Sequence, residues 1–251
     1  MNAQEYQAMF AVEDSHWWYV RLREEITWSL RRFMEDAPRS RRVRVLDAGC
    51  GTGGLLTYLA HKDGYENTGL DLEEAGLALA QSRGLRNLLQ ASVTGLPFRT
   101  DAFDAVISID VLCHTGVDEI QALREFTRVL RPGGIVILQL PAFEWLRSEH
   151  DAAVSTKRRY TRAEIEGLLT QAGLTIQRSS YRNVLLFPVI VALRMWRRAR
   201  VHAADPHSDV KPTPRALNRI LTSILRAEFF LSTRLVRFPF GLSVFCVASK
   251  D

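Results

Sequence analysis

The 251 residues are 47% hydrophobic and 24% charged, and 33 Lys+Arg against 28 Asp+Glu give a formal charge of +5. That composition excludes global disorder, collagen and fibrous repeats, and the length allows one large domain or a core with an elaborate insertion. The three cysteines form no CxxC pair, so neither a disulfide framework nor a zinc site is expected, and a reducing cytoplasm fits.

The opening MNAQEYQAMF lacks the charged and apolar regions of a secretory leader. No apolar run approaches the roughly 20 residues of a membrane span. A run Glu13-Asp14-Ser15-His16-Trp17-Trp18-Tyr19 then precedes an amphipathic helix rich in Arg and Glu. From residue 43 strands and helices alternate. VRVLDAG predicts a buried strand, GLLTYLAHK a helix, NTGLDL a second strand and EEAGLALAQSRG a helix ending at Gly84. LRNLLQAS and AVISIDVL supply the third and fourth strands, and VDEIQALREFTRVLR a long amphipathic helix broken by Pro132-Gly133-Gly134. IVILQLP resumes a strand, TRAEIEGLLTQAGL is a helix capped by Thr161, and LTIQRSSYRN is a strand. Such alternation means a parallel sheet with helices on both faces.

The alternation breaks before the last strand, GLSVFCVASK. VLLFPVIVAL, ten apolar residues followed by RMWRRAR, is too short to span a bilayer. HAADPHSDVKPTP, at 202–214, predicts a hinge. Arg215, Arg219, Arg226 and Arg237 share one face of a following helix, opposite Leu217, Ile220, Ile224 and Leu235. Residues 181–240 hold 11 Lys+Arg against 3 Asp+Glu, so the basic charge is concentrated here and the rest of the chain is slightly acidic. The basic face suits solvent, an acidic substrate or peripheral contact with a membrane surface.

The chemistry concentrates in Asp47-Ala48-Gly49-Cys50-Gly51-Thr52-Gly53-Gly54, between a strand and a helix. Gly49, Gly51 and Gly54 satisfy GxGxxG, whereas Gly49, Gly51 and Gly53 satisfy GxGxG; either lets a ligand lie on bare backbone. Asp71, closing the next strand, suits ribose hydroxyls under both patterns. Charge separates the ligands. A dinucleotide would set a pyrophosphate beside Asp47, which is unfavourable, while the ammonium and sulfonium of S-adenosylmethionine gain from a carboxylate.

At these residues the chain resembles the class I S-adenosylmethionine-dependent methyltransferases, in the small-molecule branch called methyltransferase type 11. VLDAGCGTGG, GLDLEEAGLALA, LLQASVTGLPFRTDAFDAVISIDVLCH and LREFTRVLRPGGIVILQLP match its motifs in order, over roughly residues 43–182. The resemblance implies a Rossmann-like, doubly wound, seven-stranded, mostly parallel sheet with an antiparallel last strand, plus a helical cap insertion. It divides one methyltransferase domain into an N-terminal helical lid (1–40), a cofactor-binding core (41–182), a basic cap (183–240) and the final strand (241–251). The cap is expected to close over the acceptor, so that removing 195–237 spares cofactor binding.

The resemblance further implies that Asp47, Gly49, Gly51 and Gly53 cradle the methionine part of S-adenosylmethionine and that Asp71 holds the ribose beside Leu72. Ser92 stands where many relatives carry an Asp for the adenine amino group, and the Val93 amide is the other adenine contact. Asp110 approaches the methionine end. A hydroxyl or carbon acceptor benefits from a base titrating near neutrality, which favours His114 after the fourth strand. Cys113 reads as a small buried hydrophobe. A segment resembling the family's HD…HxRRY pattern keeps His150, Asp151, Arg158, Arg159 and Tyr160, with Thr156 in place of a His. His150 and Tyr160 join His114 as candidate catalytic groups, and Arg158 and Arg159 can meet an acidic acceptor group. His16 and Trp17 belong to an HWW signature that lies over the pocket in similar proteins, where adjacent indoles exclude water and offer π faces.

The implied activity is methyl transfer to O, N or C of a small-molecule acceptor, with no metal. Nucleic-acid acceptors are disfavoured, because there is no NPPY-like tetrapeptide, no CxxC module and no separate basic domain. A fold that keeps the cofactor for isomerisation, cyclisation or binding alone, and an NAD(P)-dependent oxidoreductase, are the alternatives.

Overall fold

The computed structural model describes residues 3–34, 41–200, 212–234 and 238–251, without the side chains of 197–200. Of the expected hinge only 212–214 are described, and Leu235 and Arg237 lie outside. Two helices, α1 (Ala3–Val12) and α2 (Trp17–Phe33), lead into β1 (Val43–Ala48), α3 (Gly54–Ala60), β2 (Tyr65–Asp71), α4 (Glu74–Ser82) and β3 (Leu88–Gln90). Then come β4 (Phe103–Ile109), α5 (Glu119–Val129), β5 (Leu130–Pro141), α6 (Glu149–Ala153), α7 (Arg162–Gln171) and β6 (Leu174–Arg182). Two helices, α8 (Phe187–Arg200) and α9 (Arg215–Arg234), separate β6 from β7 (Ser243–Lys250).

The strands form a seven-stranded sheet in the order β3-β2-β1-β4-β5-β7-β6. Pairings among β3, β2, β1, β4 and β5 are parallel, while β7 runs antiparallel to both β5 and β6. The chain order reverses between β1 and β4, so the carboxyl ends of β1, β2 and β4 flank a switch-point crevice. Two apolar cores use alternate residues of the same strands. Val106, Val136, Leu138 and Cys246 face α5 and α7 with Leu123, Phe126 and Leu169. Ala105, Ile107, Ile137 and Phe245 face α2 through Leu22, Ile26 and Leu30. Those α2 residues recur every fourth position, one helical stripe, and burying each contributes about 1.5–3 kcal/mol.

Three boundaries differ from the sequence reading, and each has a local cause. β4 ends at Ile109 because Asp110 adopts a left-handed φ of 55°, which turns Val111 and Leu112 out of the sheet. α5 stops at Val129, before Pro132, since Leu130 is already extended and Arg131 precedes a proline. β3 keeps only three residues. Thr161 does cap α7, in a reciprocal box with Glu164.

Candidate functional site

The turn after β1 is shaped by glycine. Gly49 has φ 96°, and a Cβ there would collide with the Val111 side chain. Gly53, with φ 79°, starts α3, where a Cβ would meet Leu85 Cδ1 at 2.5 Å and Ala80 Cβ at 2.9 Å. The loop therefore needs bare backbone on both its sides. It borders a cavity of about 840 Å³ at the switch point, lined there by Asp47, Gly49, Cys50, Gly51 and Asp71.

Carboxylates dominate this end. Asp71 accepts from the Gly51 N–H at 2.8 Å, the Glu73 N–H at 3.0 Å and the Tyr6 hydroxyl at 3.1 Å. A carboxylate offers about four acceptor sites, so room for another donor remains. Asp47 is 4% exposed, and its pKa is pushed up to about 8 by burial and by Asp71 and Glu13. Asp110 is raised to about 6 by burial, against the stabilising contact of Gln139, and its Oδ1 has no hydrogen-bond partner. A buried site that raises its own acids is primed for a cation rather than a pyrophosphate.

Helix α1 lies over the loop. Tyr6 and Met9 line the cavity, and a Cβ on Gly51 would meet Met9 Cε at 2.8 Å. The lid is fastened behind by Arg83, which reaches Glu13 at 2.8 Å, Asp14 at 2.9 Å and the Thr52 carbonyl at 3.0 Å. Glu13 also accepts from the Thr52 hydroxyl. His16 caps α2 by accepting from the Trp18 N–H at 3.4 Å, and its pKa is lowered by burial. The neighbouring turn is clamped from α9: Trp17 donates its N–H to Asn218 Oδ1 at 2.7 Å, and Asn218 Nδ2 donates to the Ser15 carbonyl at 2.8 Å. His16, Trp17 and Tyr19 line the cavity; Trp18 does so while also packing on the α2 core.

The two segments quoted for acceptor chemistry meet. His114 pairs with Thr156 in an antiparallel bridge, with Thr115 N bonded to Ser155 O at 3.0 Å and Lys157 N to Cys113 O at 2.7 Å. This stitching sets His114, His150 and Thr156 on one wall. Burial lowers the His114 pKa, which keeps its ring neutral at pH 7 and able to accept a proton. Arg159 also lines the cavity, but its guanidinium is held by Asp151 at 2.9 and 3.0 Å and by the Ala142 carbonyl at 3.1 Å. Burial alone would raise Asp151; Arg159 outweighs it and holds the carboxyl below its ordinary value. Behind Asp110 runs a buried relay: Gln139 Nε2 donates to Asp110 Oδ2 at 3.1 Å, Arg182 donates to Gln139 Oε1, and Arg182 pairs with Glu25 at 2.7 Å.

Most of the residues read from the sequence reach the cavity: Leu72, Ser92, Val93 and Asp110 line it with those above. Ser92 is already engaged with Thr94, at 2.7 Å between hydroxyls. Gly53, Tyr160 and Arg158 do not line it. Tyr160 is fully buried, with its hydroxyl within hydrogen-bond distance of two acceptors, the Leu112 carbonyl at 3.1 Å and Glu119 at 2.9 Å, which braces the loop after β4. Arg158 stacks over the Tyr160 ring at 4.4 Å and faces Glu119 at 3.6 Å and Glu164 at 3.8 Å. Asn183 was not anticipated: it has φ 58°, is 3% exposed, lines the cavity and leaves Oδ1 unpartnered. Its one signal was a polar residue closing a strand that points the same way as β5. Among the described residues no group of His, Cys, Asp and Glu is arranged to hold a metal ion.

Residues 46–138 match the family model described as methyltransferase domain. A phthiotriol/phenolphthiotriol dimycocerosates methyltransferase of Mycobacterium ulcerans is 34% identical over 152 residues, 57% of this chain and 54% of that protein. A tRNA (carboxymethyluridine(34)-5-O)-methyltransferase of Arabidopsis thaliana is 32% identical over 127 residues, 50% of this chain but 29% of that one. The chain thus spans about half or less of these relatives' length. In fold it is similar to phosphoethanolamine N-methyltransferase 2 of Haemonchus contortus, solved with S-adenosyl-L-methionine: TM-score 0.57, 20% identity, 91% of this chain and 52% of that chain. Over residues 46–138, sheet order, glycine loop and the family-model match are together those of a class I S-adenosylmethionine-dependent methyltransferase domain.

Proposed function

We propose that the protein transfers a methyl group from S-adenosylmethionine to O, N or C of a small-molecule acceptor. The observation that carries this reading is the acidic glycine loop: Asp47 and Asp71 line it, and the groups that raise the Asp47 carboxyl are burial and other carboxylates. Such a site repels a pyrophosphate and attracts an ammonium and a sulfonium. The residues fit the cofactor's parts. Gly49 and Gly51 offer bare backbone and Asp47 the counter-charge to the methionine end, with the orphaned Asp110 oxygen beside it. Asp71 takes the ribose, and Leu72, Ser92 and the Val93 amide border the adenine. Gly53 acts one step back, holding α3 against α4.

When bound, S-adenosylmethionine supplies a methyl carbon already activated by its sulfonium. The chain's own task is to align an acceptor with that carbon, exclude water and take up the proton. His16 and Trp17 cover the cavity from the α2 side, His114 and His150 approach from the opposite segments, and neutral His114 is the proton acceptor for a hydroxyl or carbon acid. Asn183 is an added acceptor-side contact.

Isothermal titration with S-adenosylhomocysteine tests the cofactor assignment. Micromolar or tighter binding, lost in Asp71→Ala, is expected; tight binding of NADH with none of S-adenosylhomocysteine would overturn it. A metabolite screen with isotopically labelled methyl donor tests transfer, and a product without added methyl mass would favour isomerisation or cyclisation.

A further inference from the structure

Helix α8 carries apolar residues on its outward side as well as on its inward one. Phe187, Ile190, Val191 and Arg194 are partly buried, whereas Val189, Met195 and Trp196 are 60%, 62% and 53% exposed. A surface helix ordinarily keeps its outward side polar. Its first cationic residue even points inward: Arg194 donates to the Leu146 carbonyl at 2.8 Å and lines the cavity. The apolar surface continues past the start of the helix, since Phe187 lies 5.9 Å from Trp145 and 5.0 Å from Phe240, which are 54% and 40% exposed.

The segment that carries this face is charged with one sign, while Glu144 and Glu149 are exposed in the loop that carries Trp145. The last turn of α8 carries Arg197, Arg198 and Arg200, and no Asp or Glu occurs between Glu166 and Asp205. On α9, Arg215, Arg219 and Arg234 are exposed with Ile220 and Phe230. At 14 residues α8 is about 21 Å long, and no described helix is long and apolar enough to cross a membrane. A short helix with an apolar face, a tryptophan near one end and arginines in its last turn suits the plane of a lipid interface.

We propose that α8 docks flat on an anionic lipid bilayer, with Val189, Met195 and Trp196 entering the headgroup boundary and the neighbouring arginines on the phosphates. Charge selects this occupant over a second copy of the chain, which would press one basic segment against another. An anionic surface neutralises it. Ile190, Leu193 and Arg194 also line the cavity, so the docked helix and the site share a wall.

The test is co-sedimentation of the full chain with vesicles of phosphatidylcholine alone or mixed equally with phosphatidylglycerol. The wild type is expected to partition at least about tenfold more strongly onto the mixed vesicles, less so at high salt. V189E/W196E and R197S/R198S/R200S should each lose most of that binding, with melting curves matching the wild type to show that the fold is kept. Equal partitioning of wild type and V189E/W196E would overturn the proposal. So would indifference to lipid charge, or a wild type that ignores vesicles and sediments as a dimer dispersed by V189E/W196E. None of these readouts depends on cofactor binding or turnover.

Discussion

Asp47 sits where one buried proton links stability to binding. Its carboxyl titrates near 8 when folded and near 4 when unfolded, so the folded chain retains a proton that the unfolded chain releases. That contribution to stability is full below about pH 4 and is lost as pH rises towards 8. Binding runs the other way, because a ligand ammonium favours the ionised carboxylate and must expel the proton. S-adenosylhomocysteine affinity should therefore climb between pH 6 and 8, by at most about tenfold per unit, with proton release visible as a buffer-dependent heat. Asp47→Asn should flatten the climb; an unchanged slope in that variant would sink the assignment. Asp110, raised to about 6, steepens the profile only at its acid end. Gly49 is the second exacting position. Gly49→Ala pairs a left-handed φ with a clash against Val111, and should cost about 1–3 kcal/mol on chemical denaturation while weakening S-adenosylhomocysteine binding. Retained stability and affinity would mean that the loop reshapes freely.

At the scale of elements, two cations tie the lid down, Arg83 and Arg23, which reaches the Asp14 carbonyl at 2.8 Å. Arg83, at the end of α4, joins Glu13, Asp14 and the Thr52 carbonyl, so it ties the α1–α2 junction to the glycine loop. Removing it leaves Glu13 buried with the Thr52 hydroxyl still donating to it, so the cost stays below the roughly 3–5 kcal/mol of an uncompensated buried carboxylate. Arg83→Ala should therefore loosen α1, speed amide exchange over residues 3–12 and raise the S-adenosylhomocysteine dissociation constant. Exchange confined to α4, with affinity unchanged, would show that the contact merely decorates the surface. This tie was illegible in the sequence, because its partners lie 70 positions apart and Arg83 reads as an ordinary helix-end cation. The strands and helices were legible, since short apolar runs and amphipathic stretches alternate from β1 to β6, broken only between β3 and β4. The end of β4 was not: AVISIDVL stays apolar beyond Ile109, and only the left-handed Asp110 stops the strand. The burial of Tyr160 was illegible for a related reason. Its motif gives the residue but not its rotation, and a bridge between Ala142 and Tyr160 turns the ring into the core.

For the whole molecule, the segment between β6 and β7 is part of the fold's support rather than a detachable cover. α9 packs along α2, where Leu225 is buried and Arg21 stacks over Phe229 at 4.4 Å, and its Asn218 holds the turn that presents Trp17 to the cavity. Removing 195–237 would strip α2 and undo that turn, so the expectation that cofactor binding survives the excision does not follow from this packing. Glu228 offers a finer probe. It is 5% exposed, its pKa is raised by burial, and it accepts the Leu185 N–H at 2.9 Å where the chain leaves β6 for α8. Glu228→Ala takes the acceptor from that partly buried amide and empties the buried carboxyl's place, at a cost of about 1–3 kcal/mol. At roughly 2–4 °C per kcal/mol for a chain of this size, the melting temperature should fall by about 2–12 °C in a single transition. If the cap instead behaves as a separate lobe, the same variant will melt in two steps, with the S-adenosylhomocysteine-stabilised step unmoved.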